Sequence, residues 1–224
     1  GAVSKGEDDN GEYIVYTFTV AKQSFENWSF TVNISDWIYQ QYSAATNGPS
    51  VTGLPEEVSW SWDKYITYYF YGKSDDGSFN HGANDPQTLN EEELKALGVG
   101  EYYVYAVIAE TTNYQGHRIP GAQPFFVTKQ TLATPSGLDQ IYNGTPQQAN
   151  TEGLAGFGDI FTMTCEQKTD VANDYAVKFT ITEGHFSNYQ WQGGSRSIEL
   201  TWDITKATPS MEVSVENWTY SQSP

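Results

Sequence analysis

Larger apolar residues recur at every second position over several short stretches of the chain, separated by polar or smaller residues: Tyr103, Tyr105, Val107 and Ala109; Val177, Phe179 and Ile181; and Ile198, Leu200, Trp202 and Ile204. A period of two sends every second side chain to the same face, so each stretch predicts a half-buried strand. Between such stretches stand Asn47-Gly48-Pro49, Asp76-Gly77, Asn143-Gly144 and Gly193-Gly194, residues that supply a positive or preset φ where a chain reverses. Many short strands with frequent turns predict an all-β fold built as sandwiches. One helix is predicted, over Leu89 to Leu97. Asn90 can cap its first turn, Glu93 stands three residues on as in a capping box, and Gly98 ends it. A strand over Tyr102 to Ala109 follows at once, so the helix reads as an insertion linking two strands.

A strand ending of the form aromatic-x-aliphatic-x-Lys occurs three times, as Phe18-Thr-Val-Ala-Lys22, Phe125-Phe-Val-Thr-Lys129 and Trp202-Asp-Ile-Thr-Lys206. Upstream of each lies a tyrosine-bearing strand: Gly11-Glu-Tyr-Ile-Val-Tyr16, Gly100-Glu-Tyr-Tyr-Val-Tyr-Ala-Val107 and Asn173-Asp-Tyr-Ala-Val-Lys-Phe179. A starting pattern repeats too, since Ser35-Asp-Trp-Ile-Tyr39 resembles Glu216-Asn-Trp-Thr-Tyr220. Recurrence at module scale predicts tandem repeats. The expected boundaries are residues 23–129 for module one, 130–206 for module two and 207–224 for the truncated start of another. Residues 1–22 are either the end of a preceding module or the first strand of module one. Gly1 reads as a tag remnant, and the stretch as part of a longer array.

Composition narrows the partners. The chain has 28 acidic and 11 basic residues, a formal charge of −17, which repels phosphate backbones and anionic headgroups. Nucleic acid and membrane surfaces are therefore not expected as partners. The 16 Tyr, 11 Phe and 7 Trp supply large apolar bodies for a core despite an overall hydrophobic fraction of 38%. The single cysteine, Cys165, excludes an intrachain disulfide, and its strand setting beside Met163 and Thr164 reads as a small buried hydrophobe. Such poverty in cysteine in an extracellular chain suggests a bacterium. The four matches to a glycosylation sequon then carry no weight.

These residues together resemble the tandem immunoglobulin-like (MBG-type) repeats of large cell-surface proteins from Gram-positive and gut bacteria. In module one the resemblance rests on Trp37-Ile-Tyr39, Pro49-Ser-Val-Thr-Gly53, Ile66-Thr-Tyr-Tyr-Phe-Tyr-Gly72, the strand from Gly100 to Glu110, Asn113-Tyr-Gln-Gly116 and Phe125 to Lys129. In module two it rests on Ile141-Tyr-Asn-Gly144, Asn173 to Ile181, Asn188-Tyr-Gln-Trp191 and Thr201 to Ala207. The Leu89 to Leu97 insertion departs from the pattern, where such repeats usually have a short turn containing proline. The resemblance implies two immunoglobulin-like β-sandwich modules in a surface-exposed or wall-attached protein, anchored elsewhere, serving as stalk, spacer or adhesive segments beside neighbouring modules of the same chain. It carries over no catalytic residue.

The sequence offers little chemistry. There is no Gly-x-Ser-x-Gly, His-Glu-x-x-His or P-loop, and His81, His117 and His185 stand beside glycines in turn-like contexts, so neither an enzyme, a metal nor a cofactor is expected. Asp75-Asp76-Gly77-Ser78 reads as a hairpin turn rather than a calcium loop, lacking the spaced ligands of one. A Lys-Asn or Thr-Gln crosslink needs a buried acid beside the pair, whereas Lys22, Lys129 and Lys206 end strands near linkers. The one candidate binding set is aromatic: Trp60, Trp62, Tyr69 and Tyr71 could stack on sugar rings or a host protein if they face outward. On a half-buried strand the same residues would otherwise form core.

Overall fold

The computed structural model describes residues 2–8, 11–54 and 64–215, in which strands dominate and helices are few and short. The chain divides into two compact units, Gly1–Gln130 and Thr131–Pro224. Trp60, Trp62 and the repeated start at residues 216–220 lie outside the described residues.

The first unit opens with β1 (Ala2–Asp8) and β2 (Gly11–Thr17), which pair antiparallel in a two-stranded sheet of their own. Then come β3 (Thr31–Asn33), β4 (Trp37–Ile38), β5 (Ser50–Thr52), β6 (Ile66–Ser74), β7 (Asn80–His81), β8 (Gly100–Ile108), β9 (His117–Arg118) and β10 (Gln123–Thr128). The main sheet has the order β4-β10-β8-β6-β7, with β9 also paired to β8, while β3 and β5 pair apart from it. Its core side is aromatic, centred on Phe125. The Trp37 ring lies 5.0 Å from Phe125, Tyr102 5.4 Å and Phe70 6.2 Å edge-on.

β8 corrects one sequence expectation. Tyr102, Val104, Ala106 and Ile108 are the fully buried face, so Tyr103, Tyr105 and Val107 stand on the opposite side of the sheet. Both parities of this strand are apolar, so alternation alone could not choose between them; the inward face is the one on which Tyr102 stacks against Phe125 and Val104, Ala106 and Ile108 join Phe70 in the core.

The predicted helix is α2 (Glu91–Ala96, with α1 at Ala44–Asn47), and its capping box is complete. The Glu93 amide donates to Asn90 Oδ1 at 3.0 Å, and the Asn90 amide donates to Glu93 Oε2 at 2.8 Å. Buried Leu94 and Leu97 pin it to the core. The Asp76-Gly77 turn also forms, with Asp76 Oδ1 accepting from the amide and hydroxyl of Ser78 and Gly77 at φ +75°.

The chain passes between units within β11 (Gln130–Thr131). The second unit holds β12 (Gln140–Ile141), β13 (Phe161–Cys165), β14 (Ala172–Ile181), β15 (Tyr189–Gln190) and β16 (Ser197–Thr205), with a short α3 (Glu183–Phe186). Its sheet has the order β12-β16-β14-β13. Val177, Phe179 and Ile181 are buried as the alternation predicted, together with Trp191, Trp202 and Ile204.

The two sheets repeat one plan. In each, the last strand pairs antiparallel with the strand before it in the sheet and parallel with a two-residue strand near the unit's start: Val127 opposite Trp37 in one, Ile204 opposite Gln140 in the other. The same hydrogen bonds clasp both parallel pairs. Asp36 Oδ1 accepts the Phe126 amide at 2.8 Å, and Asp139 Oδ1 accepts the Asp203 amide at 2.9 Å. The Tyr39 amide donates to Thr128 O and the Tyr142 amide to Thr205 O, both at 2.8 Å. The hydroxyls of Thr128 and Thr205 donate back to the carbonyls of Trp37 and Gln140.

A second device recurs where the long central strand begins. The Tyr102 hydroxyl donates to Gly98 O at 2.7 Å, and the Tyr175 hydroxyl to Asp170 O at 2.8 Å, each tying the strand to the chain just before it. Burial raises the Tyr102 phenol well above the ordinary tyrosine range, with Asp76 and Asp75 adding to the rise and a Ser74 hydrogen bond opposing it.

Two outcomes follow for Tyr102. Tyr102→Phe orphans a buried carbonyl and should cost about 1–2 kcal/mol in urea unfolding, more than Tyr175→Phe at its exposed tether. Below about pH 10 the phenol is protonated in both folded and unfolded chains, so stability does not depend on it. At higher pH only the unfolded chain ionises readily, so stability should fall as pH rises above that point, and less steeply in Tyr102→Phe.

Candidate functional site

Among the described residues, the outer face of the first unit's sheet gathers a group of paired tyrosines with charged neighbours. β6 and β8 are its longest strands, paired antiparallel with Tyr69 opposite Tyr105 and Tyr71 opposite Tyr103. Residues two apart on a strand share a face, so the four tyrosines form two successive rungs on the side away from Phe70 and Val104. The Tyr69 and Tyr105 rings lie 5.3 Å apart at an interplanar angle of 12°, and those of Tyr71 and Tyr103 5.1 Å apart at 11°. Both pairs are offset stacks, each worth about 0.5–1 kcal/mol beyond area burial.

Charged groups stand at both ends of this ladder. Arg118 on β9 places its guanidinium 4.1 Å from the Tyr105 ring centroid, a cation–π contact that leaves Tyr105 only 7% exposed. At the other end Lys73 and Glu101 face each other on the next rung. The Tyr103 hydroxyl donates to Glu101 Oε1 at 2.6 Å, and that bond, reinforced by the carboxylate's charge, raises the Tyr103 phenol above its ordinary value. Tyr69, Tyr71 and Tyr103 are half-buried, between core rings and free surface rings.

Of the four aromatics the sequence singled out, the structure brings Tyr69 and Tyr71 onto this one face, whereas Trp60 and Trp62 lie outside the described residues. Sequence reasoning missed their partners Tyr103 and Tyr105 as site residues. The available signal was tyrosine at two alternate positions in both strands.

The second unit shows what this face is without tyrosines. With Tyr102 opposite Phe125 matched to Tyr175 opposite Trp202, the registers set Ala176 in the place of Tyr103, Lys178 in that of Tyr105 and Thr164 in that of Tyr69. All three are exposed. Lys178 there pairs with Glu199 at 3.3 Å.

The histidines are dispersed. His81 Nδ1 lies 2.9 Å from Asp85 Oδ2, His117 packs against the rings of Phe25 and Phe30, and His185 bonds the Thr182 hydroxyl at 2.8 Å. Among the described residues no three metal-ligating side chains gather, and no helix is long and apolar enough to cross a membrane. Lys22 forms an ion pair with Glu110, and Cys165 is half-buried with its thiol near the Ala149 amide. No family model, curated protein or solved structure matches the chain.

A double-mutant cycle over Tyr69→Ala and Tyr105→Ala, read by urea unfolding, should give a coupling of about 0.5–1 kcal/mol. The diagonal pair Tyr69 with Tyr103 should give a smaller value, since those rings do not stack.

Proposed function

We propose that the chain is a pair of tandem immunoglobulin-like modules acting as a non-catalytic, load-bearing spacer in a bacterial surface protein. The observation that carries this reading is the clasp found in both units, where a strand near the unit's start runs parallel to its last strand under the same carboxylate and threonine hydrogen bonds. A pull on the two ends of such a unit draws the paired strands in opposite directions along their shared axis. The bonds between them are then loaded together in shear, rather than opened one at a time as in a peeled hairpin. A module joining its neighbours in series has that requirement.

The immunoglobulin-like assignment is supported by two further features. On this reading β6, β8 and β10, like β13, β14 and β16, would correspond to the C, F and G strands of such a sandwich, and the bonds from the Tyr102 and Tyr175 hydroxyls to upstream backbone carbonyls would correspond to a tyrosine corner. An extracellular, wall-attached setting agrees with the acidic surface and the single cysteine. The adjoining modules of the same protein would be its structural partners.

Single-molecule stretching of the chain tests the proposal. Two resisted unfolding events are expected, with Asp36→Ala lowering the force of one and Asp139→Ala that of the other, while Asp36→Asn and Asp139→Asn keep the acceptor and stay near the parent force. Peaks that ignore both alanine changes, or units that open without measurable resistance, would remove the load-bearing role.

A further inference from the structure

We infer that the tyrosine ladder of the first unit is a binding face for a neutral polysaccharide, a function separate from the spacer role. The comparison between the two units carries the argument. The same sheet plan is completed in the second unit with Ala176, Lys178 and Thr164 on this face, so the fold does not require aromatic rings there. In the first unit the matching positions hold Tyr103, Tyr105 and Tyr69, joined by Tyr71 on the next rung. Half-buried rings on the outer side of a sheet retain apolar area in water that ordinary surface residues would not.

Charge selects the ligand class. The chain's formal charge of −17 repels polyanions, whereas among the described residues the ladder itself is flanked by Arg118 and Lys73 against the carboxylate of Glu101, which disfavours a cationic partner. A neutral ligand fits both conditions. The apolar ring area of Tyr69, Tyr71 and Tyr103 left uncovered by the offset stacking can meet the C–H faces of pyranose rings, and hydroxyl oxygens on the same rings accept from sugar hydroxyls. Successive rungs are separated by roughly 7 Å along the strands, so the ladder spans about two sugar rings. Arg118, held over the Tyr105 ring, and Glu101, already accepting from Tyr103, supply a donor and an acceptor at opposite ends.

The test is native electrophoresis of the full chain through gels containing mixed-linkage β-glucan, galactomannan, arabinoxylan or glycogen, with heparin, poly-L-proline and gelatin as the other arms. Retardation by at least one neutral polysaccharide is expected. It should weaken at least about tenfold in Tyr69→Thr combined with Tyr103→Ala, the residues the second unit carries there, and stay unchanged in Thr164→Ala combined with Lys178→Ala. Circular dichroism and the urea midpoint establish that each variant is folded; Tyr71→Thr alone, at a half-buried position, replaces the double variant if that one unfolds. No retardation by any neutral polysaccharide, equal retardation of parent and ladder variant, or retention by poly-L-proline or gelatin instead overturns the inference.

Discussion

The architecture of each unit depends on closing its last strand against a two-residue strand near its start. A parallel pair this short has few backbone bonds of its own, and an isolated one would not persist in water. It holds because a side-chain carboxylate accepts an amide of the last strand, a threonine hydroxyl bonds back across the pair, and the aromatic residue of the strand ending is buried beside it. Phe125 and Trp202 therefore act twice, as core centres and as the weights that keep the clasp in register. Phe18 has the same sequence signature and is 78% exposed, because no such pairing surrounds it among the described residues.

Once the clasp and the central strands are fixed, the outer face of the sheet is free to vary. The first unit fills it with stacked tyrosines and the second with exposed threonine, alanine and lysine, on the same registers. Variation is also concentrated in the connection before the central strand. Residues 75–99 carry β7 and the capped helix in the first unit, where residues 166–171 suffice in the second. Both differences leave the core-facing parity untouched, as expected if packing decides the inside and the environment decides the outside.

Much of this could be read from the residues because it is governed locally. The Asp76-Gly77 turn, the Asn90 and Glu93 capping box, and the inward Val177, Phe179 and Ile181 each follow from a few neighbours in sequence. The parity of β8 could not be read, since tyrosine, valine and alanine occupy both of its faces and only distant Phe70 and Phe125 settle which side is in. Strands of two or three residues such as β3, β4 and β5 are too short to show a period. The tyrosine ladder was half visible: Tyr69 and Tyr71 suggested a surface, but its identity as paired rungs depends on a register between β6 and β8 that no local rule sets. The aspartates of the clasp gave no signal of their own, being single acidic residues in an acidic chain.

Joining the start of a unit to its end also imposes an order on how the molecule is made. The Asp36 clasp spans 90 residues and the Asp139 clasp 64, so neither can form until the last strand of its unit has left the ribosome. Until then Phe25, Val32 and Trp37 in the first unit, and Leu132 and Leu138 in the second, await the sheet that will cover them. Without its final strand a unit has no closed core, so its apolar residues stay in water until the clasp forms, and the unit's stability arrives with its last few residues rather than accumulating along the chain.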